Sequence, residues 1–337
     1  MANHRAGAAL TPIRTLALMA VAMLICFILS IAYGGTVNIP PGEVLRELLH
    51  GQVQGQLGNN YILWQLRLPV ALGCVLVGGI LGIVGSAFQA LFRNPLADPF
   101  IVGVASGAAV GGVTALVFGI DILGTLTQPF AGFITGLGAL ALVLFLSRRR
   151  GLVNISSLLL AGSVTGSLLA AVQSLILLAG GQDTNKVLRW LMGSMHPMHW
   201  NELALLLASI IVGSGILIFQ ARQLNALAIG EDAAHRLGVN VKRLRNVILV
   251  TGTAMVAVCV GSVGVIGFLG LAAPHIARRL VGVDWRWSLV GSMMIGSVLL
   301  LIADFIATKV APTGELPVGI VTALLGAPFL LVLLRRD

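Results

Sequence analysis

The sequence predicts a polytopic α-helical membrane protein, and three observations lead to that fold class. Apolar residues make up 57% of the 337-residue chain and charged residues only 10%, whereas soluble domains average about 25% charged residues. Several apolar runs reach the roughly 20 residues that an α-helix needs to cross a bilayer. The chain also has 42 glycines, many at four-residue spacing, which lets transmembrane helices approach each other closely.

Hydropathy along the chain predicts ten membrane spans. In order, they are 13–33, 62–92, 98–118, 127–147, 156–179, 201–220, 244–260, 263–281, 287–307 and 316–334. The first is interpreted as a retained span, because its apolar part is longer than the roughly 7–15 residues of a signal peptide. In the eighth, a glycine at every third position from Gly261 to Gly270 predicts a weak or broken helix, either beside a pathway or at a tight helix crossing.

The distribution of basic residues predicts the orientation. With the N-terminus in the cytoplasm, sixteen of the 21 Lys and Arg residues fall in cytoplasmic segments, as the positive-inside rule requires. Both termini are then cytoplasmic. The net charge of +9 is explained by topology and by contact with anionic lipid, and it gives no reason to expect nucleic-acid binding.

The predicted spans contain few groups that could carry a coupling ion. Asp304 is the one acid that could lie at depth, and we interpret it as an interfacial or packing residue. A stand-alone ion-coupled carrier is therefore a poorly supported alternative. None of the three lysines lies in a G-x-x-x-x-G-K-[ST] phosphate loop, so the chain is not expected to be an enzyme or to bind ATP.

The segment 221–243 is the most informative polar stretch. Gly230 and Gly238 bracket a short predicted helix, EDAAHRL, with Glu231 and Asp232 in its first turn, where the helix dipole favours acids. A compact capped helix of this kind suits docking into a groove on another protein. The alternative is a surface helix that lies on the membrane.

A second polar stretch, RNPLADPF at 93–100, interrupts two long apolar runs. Proline is tolerated in the first turn of a helix but not in its middle. Pro95 and Pro99 therefore predict a tight turn that ends the second span and begins the third.

The chain resembles the FecCD/BtuC-type permeases of bacterial ABC importers for ferric siderophores, haem and vitamin B12, nearly from end to end. The most specific motifs are QALFRNPLADP at 89–99, AIGEDAAHRLGV at 228–239, GVIGFLGLAAPHIARRLVG at 264–282 and ELPVGIVTALLGAP at 315–328. The resemblance implies a type II ABC importer permease fold, with residues 1–337 as a single transmembrane domain. It also implies a second permease copy, two cytoplasmic ATPase subunits that carry ATP and Mg, and a periplasmic binding protein.

The resemblance further assigns residues to roles. The ATPase-coupling residues are Ala228, Ile229, Gly230, Glu231, Asp232, Ala233, Ala234, His235, Arg236, Leu237 and Gly238. The cytoplasmic gate residues are Asn94, Leu96, Ile155, Ser156 and Ser157. Docking of the binding protein is assigned to Arg67, Lys309 and Arg46, although Val70 and the pair Thr308–Lys309 stand where other members have arginines.

The expected cargo is an iron chelate, with vitamin B12 as the alternative. In the stretch LMGSMHPMHW at 191–200, the side chains of Met195, His196 and His199 are soft ligands that could contact haem iron. The alternative, which we favour, is an interfacial loop with Trp190 and Trp200 at the membrane boundary. No resident metal site is expected.

Overall fold

A computed structural model describes residues 11–34, 37–52, 58–149, 152–153, 155–180, 184–310 and 316–334. Within these residues the fold is almost entirely helical. Two strands of two residues each, β1 (Arg148–Arg149) and β2 (Leu152–Val153), pair in the antiparallel direction. The helices are α1 (Pro12–Tyr33), α2 (Pro41–His50), α3 (Asn59–Tyr61), α4 (Leu68–Phe92), α5 (Val104–Val117), α6 (Thr127–Leu146), α7 (Ile155–Ala179), α8 (Thr184–Leu191), α9 (Trp200–Phe219), α10 (Ala221–Ile229), α11 (Glu231–Arg236), α12 (Val241–Val263), α13 (Leu269–Val281), α14 (Trp285–Val310) and α15 (Val318–Leu334).

The predicted all-helical membrane architecture is confirmed, and each predicted span coincides with a helix. Among the described residues, seven helices are long and apolar enough to cross a bilayer. The third, eighth and tenth predicted spans correspond to the shorter helices α5, α13 and α15. The third is shorter than predicted because Pro99–Val102 forms a 3-10 turn and Gly103 then adopts a left-handed conformation, with φ of 75°.

One long helix runs through the centre of the bundle. A π-helical segment, Ile62–Arg67, joins α3 to α4, so that the helix is continuous over the 34 residues of Asn59–Phe92. Most of this helix is buried by its neighbours, chiefly α14, α13, α9 and α12.

Glycines bring the backbones of α4 and α14 together. A Cβ atom at Gly82 would lie 2.1 Å from the carbonyl oxygen of Ser292, and one at Gly78 would lie 2.4 Å from that of Gly296. Both distances are too short for any side chain, so the small residues are required for this approach. The predicted role of the four-residue glycine spacing in helix packing is confirmed for this pair of helices.

The predicted break in the glycine-rich run is also confirmed. Helix α12 ends at Val263 and α13 begins at Leu269, with residues 264–268 outside any helix. A Cβ at Gly264 would lie 1.8 Å from the carbonyl oxygen of Trp190, and the Ser194 N–H donates to the Val263 carbonyl at 2.9 Å. The break therefore begins in close contact with the backbone of residues 190–194, which favours the tight-crossing interpretation over a pathway.

Candidate coupling and gating site

The RNPLADP loop is a rigid turn at one end of the bundle. Arg93 ends α4 in the left-handed conformation, with φ of 49°, and the Asn94 N–H donates to the Gln89 carbonyl at 3.1 Å. The Leu96 N–H donates to Asn94 Oδ1 at 2.9 Å, and the Phe100 N–H donates to Asp98 Oδ1 at 2.7 Å. Hydrogen bonds of this kind, from a backbone N–H to a nearby Asn or Asp side chain, fix the conformation of a short loop that has no regular secondary structure. The loop leaves Leu96 half exposed.

The coupling segment forms the short helix that the two glycines predict. Gly230 ends α10 with φ of 139°, and Gly238 follows α11 with φ of 81°. Ala234 is fully buried, whereas Ile229 and Leu237 on either side of α11 are 74% and 66% exposed. Exposed apolar residues that flank a short helix are typical of an interaction surface.

One ion pair, one side-chain hydrogen bond and two buried leucines position this surface on the rest of the protein. Arg245 Nη2 of α12 lies 3.0 Å from Glu231 Oε1, at the beginning of α11. In α10, Leu224 and Leu227 are buried and fix the helix against the bundle. Asn225, between them, donates to Asp284 Oδ1 at 2.8 Å. The coupling segment is therefore anchored to both α12 and the beginning of α14.

The structure brings the coupling segment and the first gate stretch together. A cleft of about 590 Å³ is lined by Arg93 and by the coupling residues Ile229, Gly230, Glu231, Asp232, Ala233 and Arg236. A second cleft of about 210 Å³ is lined by Asn94, Pro95 and Ala228, together with Gln89, Ala90, Arg93, Arg278 and Trp285. The coupling segment and the RNPLADP loop therefore face each other across a shared cleft.

The second gate stretch begins α7, which packs on the segment that follows the loop. A Cβ at Gly162 would lie 2.4 Å from the Ile101 carbonyl oxygen, so α7 and the 3-10 turn Pro99–Val102 are in close backbone contact. Ser156 is exposed and Ser157 is half-buried at the beginning of this helix. The side chain of Ile155 lies outside the described residues.

Sequence reasoning missed a polar network behind the loop. Gln89, which is 3% exposed, accepts a hydrogen bond from Arg278 Nη2 at 2.7 Å. Its own Nε2 lies 3.4 Å from each of the Gly270 and Leu271 carbonyl oxygens. The Arg278 guanidinium lies 5.6 Å from the centroid of the Trp285 ring. A glutamine within an otherwise apolar helix was the available sequence signal, because buried polar groups need partners.

The opposite end of the bundle holds the residues predicted to dock a binding protein, and Arg67 differs from expectation. It is 9% exposed, and its Nη1 donates to the carbonyls of Ile31 and Ala32 at 2.9 and 3.0 Å. Its Nη2 donates to the Val37 carbonyl. In this conformation the guanidinium holds the end of α1 and is not available to a partner. Arg46 and Lys309 are exposed, and their docking role stays a prediction.

The residues predicted to contact substrate divide in a similar way. Met195 is 1% exposed, and its methyl would lie 3.0 Å from a Cβ at Gly73 of α4, so it packs in the core and does not face a pathway. His196 is half exposed, with its Nε2 3.8 Å from Asp304 Oδ1. His199 precedes α9, where its N–H donates to Glu202 Oε2 at 3.2 Å. The loop interpretation fits this arrangement better than a soft-ligand site does.

Comparison with known proteins identifies the architecture. The sequence matches the FecCD transport family over residues 22–336. The chain belongs to the FecCD transport family. It is therefore a multi-pass membrane permease of an ABC importer, a class of transporter that works with ATPase and substrate-binding partners.

Its relatives in the FecCD family include permeases named for different cargoes. The cobalamin import system permease BtuC of Halobacterium salinarum is 41% identical over 81% of this chain and 73% of its own length. The hemin transport system permease HmuU of Yersinia pestis is 40% identical over 83% of this chain and 86% of its own length. A solved metal-chelate type ABC transporter in an inward-facing conformation has a TM-score of 0.84 at 30% identity, covering 96% of this chain and 99% of that one.

Proposed function

We propose that this FecCD-family permease moves an iron chelate, either a ferric siderophore or haem, from the periplasm to the cytoplasm by alternating access. Two copies of the chain would enclose the pathway. Two cytoplasmic ATPase subunits would bind the coupling residues, and a periplasmic binding protein would deliver the cargo. The observation that carries the coupling part of this proposal is the shared cleft between α11 and the RNPLADP loop. The iron-chelate cargo is supported by the similarity to HmuU and to the metal-chelate type transporter.

The shared cleft supports a mechanical role for both elements. A partner that moves α11 on binding ATP would change the cleft that α11 shares with Arg93, which adjoins Asn94 and Leu96 of the proposed gate. Such a movement would reach the gate as a shift of rigid elements, without chemistry in the permease itself. The chain would bind no cofactor, and ATP and Mg would remain on the ATPase.

The orientation proposed from basic residues agrees with this arrangement. Arg93, Arg236, Arg278 and Arg286 all lie at the end of the bundle that carries the coupling segment. The positive-inside rule assigns such an end to the cytoplasm, where an ATPase would be found. Both termini would then be cytoplasmic, and Arg46, Lys309 and the His196 loop would face the periplasm.

The experiment is reconstitution of the permease with its ATPase and binding protein in liposomes. Uptake of haemin, of a ferric siderophore and of cyanocobalamin is measured with and without ATP on the ATPase side. ATP-dependent uptake of haemin or the siderophore is expected. Uptake of cyanocobalamin alone would favour the alternative that the relationship to BtuC suggests. Uptake that is driven by an ion gradient in liposomes lacking the ATPase would refute the importer proposal.

A further inference from the structure

An asparagine outside the predicted coupling residues joins two elements that are distant in sequence. Both polar atoms of the Asn225 side chain are used: Nδ2 donates to Asp284 Oδ1 at 2.8 Å, and Oδ1 accepts from the Trp285 N–H at 3.0 Å. The partners are 59 and 60 residues away. We call this pair of hydrogen bonds the Asn225 clasp.

The clasp acts on the first turn of α14, where the helix leaves N–H groups without partners. Asp284 precedes α14, and its Oδ1 also accepts from the Arg286 N–H at 3.0 Å. The Arg286 guanidinium lies 2.6 Å from Asp284 Oδ2. Hydrogen bonds from Arg286, with a further contribution from Asn225, hold the pKa of Asp284 below its ordinary value. An ionised carboxylate at this position is stabilised by the helix dipole. Asn225 therefore bonds to a carboxylate that is held in place at the beginning of α14.

From α14 the contacts continue toward the gate. Trp285 lies beneath the Arg278 guanidinium, Arg278 donates to Gln89, and the Gln89 carbonyl accepts the N–H of Asn94. These residues also line the small cleft beside Ala228 of the coupling segment. Hydrogen bonds and one cation–π contact thus connect α10, α14, α13 and the end of α4 to the first gate residue, Asn94.

We propose that Asn225 is a positioning residue that fastens the coupling segment to α14, so that a movement imposed on α11 by the ATPase reaches α14 and the RNPLADP loop. This inference rests on the proposed function, because it needs an ATPase to move α11. The competing explanation is that the buried side chains of Leu224 and Leu227 transmit the movement by packing alone.

The test uses the complete complex in liposomes with haemin and cyanocobalamin as probes, and it measures the number of molecules transported per ATP hydrolysed. Asn225→Asp removes the Nδ2 donor and sets two carboxylates against each other. The double variant Asn225→Asp with Asp284→Asn restores the hydrogen bond with the roles exchanged: the amide at position 284 donates and the carboxylate at position 225 accepts. Arg286→Gln is the matched control, because it removes the ion pair to Asp284 and leaves both hydrogen bonds of the clasp.

We expect Asn225→Asp to lower the transport-to-ATP ratio about fivefold or more, the lower end of typical coupling between sites. The double variant should recover most of the ratio, and Arg286→Gln should keep the wild-type ratio. A wild-type ratio in Asn225→Asp, an equal loss in Arg286→Gln, or no recovery in the double variant would each overturn the proposal. If Asn225→Asp does not assemble, Asn225→Ala is judged by the same ratio. Failure of the proposed function is distinguishable, because the wild-type complex itself would then show no ATP-dependent uptake.

Discussion

Replacement of Arg67 separates its structural role from the docking role that the sequence suggested. The guanidinium donates to the carbonyls of Ile31 and Ala32 in the last turns of α1 and to that of Val37 beyond it. The Ala32 carbonyl also accepts the Ile39 N–H at 3.0 Å, so it keeps one partner when Arg67 is replaced. A hydrogen bond to a charged group contributes about 1.5–3 kcal/mol, and a buried acceptor left without a partner costs about 1–3 kcal/mol. Because the three bonds share one donor group, their effects do not add fully.

We therefore expect Arg67→Ala to lower the free energy of unfolding by about 3 kcal/mol. Thermal unfolding of the purified permease in detergent, followed by tryptophan fluorescence, should show a midpoint lower by roughly 5 °C or more. Arg67→Lys should recover part of the loss, since an ammonium can reach one or two of the carbonyls but cannot present the planar fork of donors. Arg46→Ala is the matched control, because Arg46 is exposed on α2.

The docking assignment makes the opposite prediction for the same variants. If Arg67 serves the binding protein, Arg67→Ala would keep the wild-type unfolding midpoint and lose affinity for that protein in a pull-down or calorimetric titration. That result would refute the structural argument. Loss of affinity in Arg46→Glu at an unchanged midpoint would leave docking with the exposed basic residues.

Three further predictions test the packing, the coupling surface and the gate. Gly82→Val should destabilise the permease by about 3 kcal/mol or more in thermal unfolding, because the added Cβ would meet the backbone of α14. The control is Gly138→Val, which has no atom within 4 Å of the added Cβ and should be close to wild type. Equal losses in the two variants would contradict the helix-contact argument. Asp232→Lys should lower cargo-stimulated ATPase activity about tenfold, because it reverses an exposed charge on α11. Asp121→Lys, which reverses a charge at another exposed site, should leave this activity unchanged. An unchanged rate for Asp232→Lys in a normally assembled complex would show that Asp232 is not part of the coupling surface. Asn94→Ala should raise the leakage of cargo in the absence of ATP about fivefold, because it removes the hydrogen bond to the Leu96 N–H. Asn94→Asp keeps the acceptor and should not raise leakage. Equal leakage in the two variants would show that this turn does not hold the gate closed.

Local patterns in the sequence predicted the helices and the RNPLADP loop, because the formation of these elements depends on residues that are close together in the chain. Hydropathy locates the spans, proline positions locate the RNPLADP turn, and Gly230 and Gly238 bracket α11 as expected. The glycine repeat likewise predicted the break before α13. In all of these, the decisive interaction lies within a few residues of the pattern that reveals it.

Contacts between distant segments could not be predicted in this way. Arg278 and Gln89 are 189 residues apart, and Asn225 and Asp284 are 59 apart, so no periodicity connects them. Arg67 was assigned to docking of the binding protein through the family resemblance, and that role stays a prediction. In the structure Arg67 is buried, because its guanidinium donates to carbonyl groups 30 to 36 residues away, at Ile31, Ala32 and Val37. Met195 is buried for a related reason, since Gly73 lies opposite and leaves space for its side chain, which agrees with the interfacial-loop interpretation that we favour.

The central helix explains why both ends of the bundle should respond together. Asn59–Phe92 contains Arg67 near one end and Gln89 near the other, and its glycines bring it into backbone contact with α14. Close packing transmits strain between neighbouring elements, so we expect α4 and α14 to move together. The Asn225 clasp holds the coupling segment at the beginning of α14, and Arg67 holds α1 to the other end of the same pair. We expect a displacement of α11 to tilt the whole pair, which carries the gate loop at one end and Arg67 at the other.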